Sequence, residues 1–203
     1  MTFYGQSTHQ LDPKGRLCLP KRVHALVGKD ENGERTVWLT RGKGGCVWLF
    51  TPDAFQERVD QLASDPFGNE KAVAAEREFW ASTFQTKLDN SNRVLLPDEL
   101  RELAGIAPSS EVVVIGMSRR VELWSKERRE SKRLAPEEYD QVAQAFSSGG
   151  GRKAAEVAEQ MQAQAFQALL QQQQMQFLKN LGLFGPGAQL PGAEADPPRE
   201  GGR

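Results

Sequence analysis

Leu11-Asp12-Pro13-Lys14-Gly15-Arg16-Leu17-Cys18-Leu19-Pro20 returns 77 residues later as Leu88-Asp89-Asn90-Ser91-Asn92-Arg93-Val94-Leu95-Leu96-Pro97. An internal repeat constrains the architecture more than any single element does. The register persists past the match, with Leu26 opposite Leu103 and Gly28 opposite Gly105. After a small gap, Val37-Trp38-Leu39-Thr40 answers Val113-Val114-Ile115-Gly116. Gly45-Cys46-Val47-Trp48-Leu49-Phe50 then answers Arg119-Arg120-Val121-Glu122-Leu123-Trp124. Residues 1–51 and 80–125 therefore read as two copies of one unit.

Within the unit, Phe84, Thr86 and Leu88 alternate with Gln85 and Lys87, the pattern of a half-buried strand. Pro13-Lys14-Gly15 and Asn90-Ser91-Asn92 are turn chemistry. Gly15 and Asn92, at matching positions, are the residue types that best tolerate a left-handed backbone. Leu17/Leu19 and Val94/Leu96 give a returning strand, which Pro20 and Pro97 stop. A short helical stretch follows, with Val23-Leu26-Val27 and Leu100-Leu103-Ala104 recurring at helix spacing and Gly28 and Gly105 where the helix ends. A hairpin closes each copy, turned by Arg41-Gly42-Lys43-Gly44-Gly45 and by Gly116-Met117-Ser118. A unit of about fifty residues buries too little core and leaves its sheet edges open. Two such units can pair around a pseudo-twofold axis, so the expected fold is α+β, a closed tandem-repeat barrel with flanking helices.

The connector, residues 52–79, opens with Thr51-Pro52-Asp53: an N-cap, an N1 proline and an acid that suits the helix dipole. Phe55, Val59 and Leu62 lie on one face. Asp65-Pro66-Phe67-Gly68-Asn69 breaks that helix, and Glu70 to Trp80 restarts one with Val73, Arg77 and Trp80 aligned. Closing helices are expected over residues 126–146: a charged helix from Ser125 to Lys132, then one opened by Pro136 with Tyr139, Val142, Ala143 and Phe146 along a stripe. Residues 147–203 begin with Ser147-Ser148-Gly149-Gly150-Gly151, a flexible linker. Lys153 to Leu181 is an Ala/Gln-rich helix candidate whose Gln171–Gln174 run breaks any clean heptad. Gly185 to Arg203 is Pro/Gly-rich and expected to be disordered.

Composition narrows the function. The 203 residues carry 26 Lys+Arg against 27 Asp+Glu, a formal charge of -1. That balance excludes a protein that coats polyanions through a large positive excess. Hydrophobic residues make up 38% of the chain, below the roughly 45–50% of compact domains. By segment, the charge is +4 over residues 1–50, -4 over 51–86, +2 over 87–133 and -3 over 134–203. The near-zero total hides basic repeats beside an acidic connector and tail, and distribution matters more than the sum. No signal peptide, membrane span, cofactor motif or small-molecule substrate site is read, so a cytoplasmic address is expected. Cys18 and Cys46 have no C-x-x-C spacing and read as small core hydrophobes. His9 and His24 show no metal-ligand spacing. The four tryptophans, Trp38, Trp48, Trp80 and Trp124, read as core or interface. Gly42-Lys43-Gly44-Gly45 is a turn rather than a phosphate-binding loop. No nucleophile–His–acid set emerges, so no enzyme is expected.

Each copy places an aspartate four residues before an arginine across a tight turn: Asp12/Arg16 and Asp89/Arg93. The carboxylate can bond turn amides or hold the guanidinium's orientation. An oriented guanidinium at an exposed turn suits bidentate contact with a guanine edge or a phosphate. A single such pair reads more readily as a staple for the hairpin. Its recurrence in the same context, with Leu-Asp ahead and Leu-Pro behind, favours the functional reading.

The L-D-x-K-G-R-L-x-L-P run, the second L-D-x-x-x-R-x-L-L-P, Leu39-Thr40-Arg41-Gly42 with Gly45 to Phe50, and Val121-Glu122-Leu123-Trp124-Ser125 together resemble the MraZ family, bacterial regulators of the division and cell-wall gene cluster. The resemblance covers about residues 1–146. It implies a swapped-hairpin barrel of the AbrB/SpoVT type, assembly of copies into a homo-oligomeric ring, and binding to direct repeats in double-stranded promoter DNA at the nucleoid. It points to Lys14, Gly15, Arg16 and Arg93 as DNA-binding residues, with Asp12 and Asp89 orienting the arginines; Lys87, the cation that precedes the second turn, is read from the charge pattern as a further phosphate contact. Asn92 departs from the glycine usual in the second motif. The alternative is a protein-interaction or assembly module that recruits partners through its C-terminal tail. Phosphate contacts alone do not separate DNA from RNA.

Overall fold

The doubled sequence folds as a doubled series of elements. The computed structural model describes residues 2–62 and 69–180, in two units, residues 1–133 and 134–203. In the first copy β1 (Gln6–Gln10) leads through the turn to β2 (Arg16–Cys18), α1 (Lys21–His24), and the hairpin β3 (Thr36–Arg41) and β4 (Val47–Phe50). Helices α2 (Pro52–Leu62) and α3 (Glu70–Ala81) follow. The second copy gives β5 (Phe84–Lys87), β6 (Arg93–Leu95), α4 (Asp98–Ala104), β7 (Glu111–Met117) and β8 (Arg120–Ser125), before α5 (Lys126–Ser131) and α6 (Pro136–Asn180).

Pairing crosses between the copies. The main sheet runs β1-β7-β8-β4-β3-β5, antiparallel throughout, and β2 pairs only with β6 in a separate two-stranded ribbon. Each copy's first strand thus lies on the other copy's hairpin, β1 on β7 and β5 on β3. The pseudo-twofold axis passes between β4 and β8. The expected closed barrel is corrected to an open sheet with edges β1 and β5. Leu11 and Leu17 form a single bridge across the first turn, after which β2 turns to β6 instead of continuing a ladder with β1. Closure falls to side chains. Leu11, Leu17, Leu19, Val94 and Leu96 from the turn–ribbon segments meet Val37, Leu39, Val47, Leu49, Val112, Val114, Val121 and Leu123 from the sheet in one core.

One register expectation shifts by a residue. His9 pairs with Val112, and its equivalent Thr86 pairs with Val37. Val37 therefore corresponds to Val112, not Val113. Because strand side chains alternate, a one-residue slip exchanges the faces. Val37, Leu39, Val112 and Val114 share the ribbon-side core, and Trp38 and Val113 face the opposite way.

That opposite face packs on the connector. Thr51 caps α2 through Oγ1, which accepts from Ala54 N at 3.4 Å, as the sequence predicts. Phe55 stacks on Trp38 at 4.3 Å and lies 6.2 Å from Phe79. On α3 it is Phe79, not the Val73–Arg77–Trp80 stripe, that is buried; Trp80 is 42% exposed. Asn69 starts α3 by accepting from Ala72 N at 2.9 Å; the rest of the expected 65–69 break lies outside the described residues. Across the sheet centre Trp48 pairs with Glu122, whose carboxylate accepts from Trp48 Nε1 at 3.2 Å, Trp124 Nε1 at 3.1 Å and Arg120 Nη2 at 2.9 Å. Cys46 is buried as expected, its thiol pushed up to about 12 by burial and then by Glu122. Cys18 is exposed, a correction, because β2 turns Leu17 inward and Cys18 out.

Gly116, whose N donates to Gly5 O at 2.9 Å, marks where the N-terminal segment presses closest to β7. A Cβ there would lie 2.2 Å from the backbone N of Tyr4, while Phe3 is buried beside it and bonded to Ser118 through N and O at 2.8 and 2.9 Å. Backbone cannot swing aside as a side chain tip can. Gly116→Ala is expected to lift residues 3–5 off β7 and cost about 1–3 kcal/mol, read as a lowered urea midpoint at unchanged slope. An unchanged midpoint would show that the segment rests on the sheet without stabilising it.

In the second unit α6 is helical through the expected linker and breaks only at Gly150, with φ 71° and ψ -167°. Phe166, Leu170 and Phe177 are exposed along it. Leu181 and the Gly185–Arg203 segment lie outside the described residues. Among the described residues no helix is long and apolar enough to cross a membrane.

Candidate nucleic-acid interface

The two turns are built alike, bond for bond. Asp12 N donates to Arg16 O at 2.9 Å and Gly15 N to Asp12 O at 3.0 Å; Asp89 N donates to Arg93 O and Asn92 N to Asp89 O, both at 2.9 Å. The backbone must turn left-handed once in each, and it does so at Gly15 (φ 75°) and Asn92 (φ 57°), the two positions expected. Asp12 Oδ1 accepts from Lys14 N at 2.9 Å and Arg16 N at 2.8 Å, while Oδ2 accepts from Arg16 Nε at 2.7 Å. Asp89 repeats this with Ser91 N at 2.8 Å, Arg93 N at 2.9 Å and Arg93 Nε at 2.7 Å. The aspartate thus stitches the turn's amides and aims the arginine with its second oxygen.

Both aspartates have pKa values lowered from the ordinary carboxylate value, chiefly by the backbone N–H of Arg16 or Arg93 and further by the arginine side chain. A depressed folded-state pKa means the turn's stabilisation is complete above the unfolded carboxylate's pKa. It is lost only as pH falls through the lower, folded value. The amide resonances of Lys14, Arg16, Ser91 and Arg93 should therefore hold their positions from neutral pH down to the ordinary carboxylate range and move only below it. Movement centred at or above pH 3.8, the ordinary value, would show that the carboxylate bonds are not formed.

The ribbon sets the turns side by side. Cys18 pairs with Arg93 and Arg16 with Leu95; Leu96 N donates to Gly15 O at 2.9 Å and Leu19 N to Asn92 O at 3.1 Å. Arg93 Nη1 comes within 4.0 Å of Asp12 Oδ2, so the two Asp–Arg pairs form one cluster. The side chains of Arg16 and Arg93 are each 33% exposed. Lys14 is exposed, with no carboxylate partner among the described residues. Lys87 stands apart on the edge strand β5, engaged by Glu34, whose hydrogen bond and charge raise its pKa. Gly15 is buried against Arg101, whose Nε would lie 3.2 Å from a Cβ there.

Three side chains outside the motif complete the arrangement. Arg101 holds the first turn from α4 and donates to Leu96 O at 3.3 Å. Arg35 donates from Nη1 to Asn92 Oδ1 at 2.6 Å, fixing the second turn through the side chain that glycine lacks. Glu34 occupies Lys87. None is marked by the repeat, because each reaches its turn from another part of the chain. Arg101 alone left a trace, four residues after Pro97 on the helix that the proline opens. Elsewhere, a cavity of about 770 Å³ lies among Lys43, Trp48, Arg58, Val73 and Phe79. Among the described residues no group of three or more His, Cys, Asp or Glu side chains could hold a metal ion.

The family model for MraZ protein matches residues 2–78 and 79–131, two segments that each hold one turn. A protein of Heliobacterium modesticaldum named transcriptional regulator MraZ is 34% identical over 144 residues, covering 70% of this chain and 94% of that relative. One of Thermus thermophilus with the same name is 36% identical over 125 residues, covering 62% and 83%. A third, from Clostridium beijerinckii, is 32% identical over 148 residues, 73% of this chain and 99% of that relative. With both segments matched, and with a relative above 30% identity covered almost from end to end, the chain belongs to the MraZ family.

Proposed function

We propose that this chain is a sequence-specific DNA-binding transcriptional regulator that acts on the promoter of a division and cell-wall gene cluster. Twin Asp–Arg turns, assembled on an oligomeric ring of copies, would carry the binding. The observation that carries the reading is the pair of identically bonded turns in one cluster, each with an arginine side chain aimed by a carboxylate and partly open to solvent. Arg16 and Arg93 contact base edges or phosphates, Lys14 adds a phosphate contact, and Lys87 adds another once a phosphate displaces Glu34. Asp12 and Asp89 orient the arginines, and Gly15 contributes its backbone geometry. The names of the relatives support regulation of transcription as the outcome.

A protomer with near-zero net charge makes few phosphate contacts, so one copy holds DNA weakly. Several copies engaging several repeats make the later contacts intramolecular, which adds on the order of 10²–10⁴ in avidity. Gel shifts on duplexes from upstream of the chain's own gene should therefore show far tighter binding to tandem repeats than to one. Affinity should also fall log-linearly with salt. Equal affinity for one repeat and several would remove the avidity account, and competition with duplex RNA identifies the nucleic acid. The exposed Phe166, Leu170 and Phe177 on α6 favour a second reading, partner recruitment through the tail. That binding would survive loss of both arginines and depend little on salt.

A further inference from the structure

The two turns share a frame but not a tip. Where the first presents Pro13 and Lys14, the second presents Asn90 and Ser91. All four are exposed. Asparagine in a turn is ordinarily explained by a left-handed backbone or by a bond from its amide to the chain. Neither holds for Asn90. The left-handed residue is Asn92, whereas Asn90 is absent from the positive-φ positions. The Asx bonds of this turn all come from Asp89. The Asn90 amide has no hydrogen-bond partner among the described residues, so its donor and acceptor stay unspent at the tip.

That tip is also held still. Asp89 bonds the amides on both sides of Asn92, Arg35 fixes the Asn92 side chain, and Leu19 N bonds the Asn92 carbonyl. A carboxamide on a fixed support can accept from and donate to an adenine edge at once, which an ammonium cannot do. Lys14, a compact charge on a flexible stem, suits phosphate instead. Lys87, two residues before Asp89 in sequence, is engaged by Glu34.

We propose that the two turns of one protomer play different parts on a duplex: the first, tipped by Lys14, grips phosphate, and the second, tipped by Asn90, reads base edges and determines specificity. This rests on the DNA-binding reading above and adds that the pseudo-symmetric protomer meets its site asymmetrically.

The test is selection from a randomised 30-base-pair duplex library with the full chain, its N90A variant and its K14A variant. Salt titrations on the selected duplex and on a scrambled one follow. Asn90→Ala is expected to lower the preference for the selected over the scrambled duplex roughly 5- to 150-fold, relaxed at adenine positions, with the salt slope unchanged. Lys14→Ala is expected to weaken both duplexes by the same factor and to reduce the slope of log K against log salt by about 0.9. The proposal is overturned if Asn90→Ala leaves the preference intact, if it changes the slope as Lys14→Ala does, or if the unaltered chain binds duplex without selecting a sequence. A chain that binds no duplex at low salt overturns the DNA-binding reading itself, a distinguishable result that takes this division of roles with it.

Discussion

On the proposed function, replacing Arg16 by alanine should remove operator binding while leaving the fold and the assembly of copies in place. The side chain is a third exposed, and its hydrogen bond goes to an aspartate that keeps two backbone partners without it. Its loss should therefore shift the unfolding free energy by no more than about 0.5 kcal/mol, as for other surface positions. A bidentate, charge-assisted arginine–phosphate contact contributes about 1.5–3 kcal/mol. In an assembly that engages several repeats the loss recurs at every protomer, taking binding below detection in a gel shift. Arg93→Ala should behave alike, since its turn repeats every bond. A mass measurement alongside the gel shift separates the readings: if Arg16→Ala dissociates the oligomer, or lowers stability by several kcal/mol, Arg16 is a structural staple.

The second large effect is on stability. Glu122→Ala should cost about 3–5 kcal/mol, the usual result of removing one partner from a buried charge pair. Glu122 is 9% exposed. Its carboxylate satisfies two indole N–H groups and the Arg120 guanidinium, which itself stands 4.5 Å from the centre of the Trp48 ring. Alanine would leave those donors without an acceptor at the centre of the sheet, where β4 meets β8. Glu122→Gln, which keeps an acceptor oxygen but not the charge, should lose less. Urea unfolding followed by tryptophan fluorescence measures both, and a loss under 1 kcal/mol for the alanine variant would mean the indoles and Arg120 find other partners.

How much of this was legible beforehand depended on whether the controlling interactions lay inside the repeat. The turn did: Asp12 to Arg16 and Asp89 to Arg93 are four residues apart, and the left-handed positions fell on Gly15 and Asn92. That the two copies pair about a twofold followed from the repeat, and their swap from the family resemblance, but which ladder stays open followed from neither, because β2 and β6 are three residues each and pair with one another. The slipped register of β7 has a local cause. Val112 to Ile115 is apolar at every position, so alternation could not say which residues face the ribbon. Phe79 displaced the expected α3 stripe because Phe55 and Trp38 lie across from it. Glu34 on Lys87, Arg35 on Asn92 and Arg101 on Gly15 arise from long-range packing. Of these, Glu34 most changes the candidate site, since it gives Lys87 a carboxylate that Lys14 lacks.

The exchange of first strands also sets the order in which the protein can be made. Residues 6–10 find their ladder partner only at 111–115, so the amino-terminal strand must wait unpaired while about a hundred further residues leave the ribosome, about 5–20 s at ordinary elongation rates. Pairings so distant along the chain fold slowly. During that interval the first half has a bare strand and half a core, and a nascent chain stalled before β7 is a natural client for chaperones and proteases. A premature stop inside the connector should leave no folded remnant.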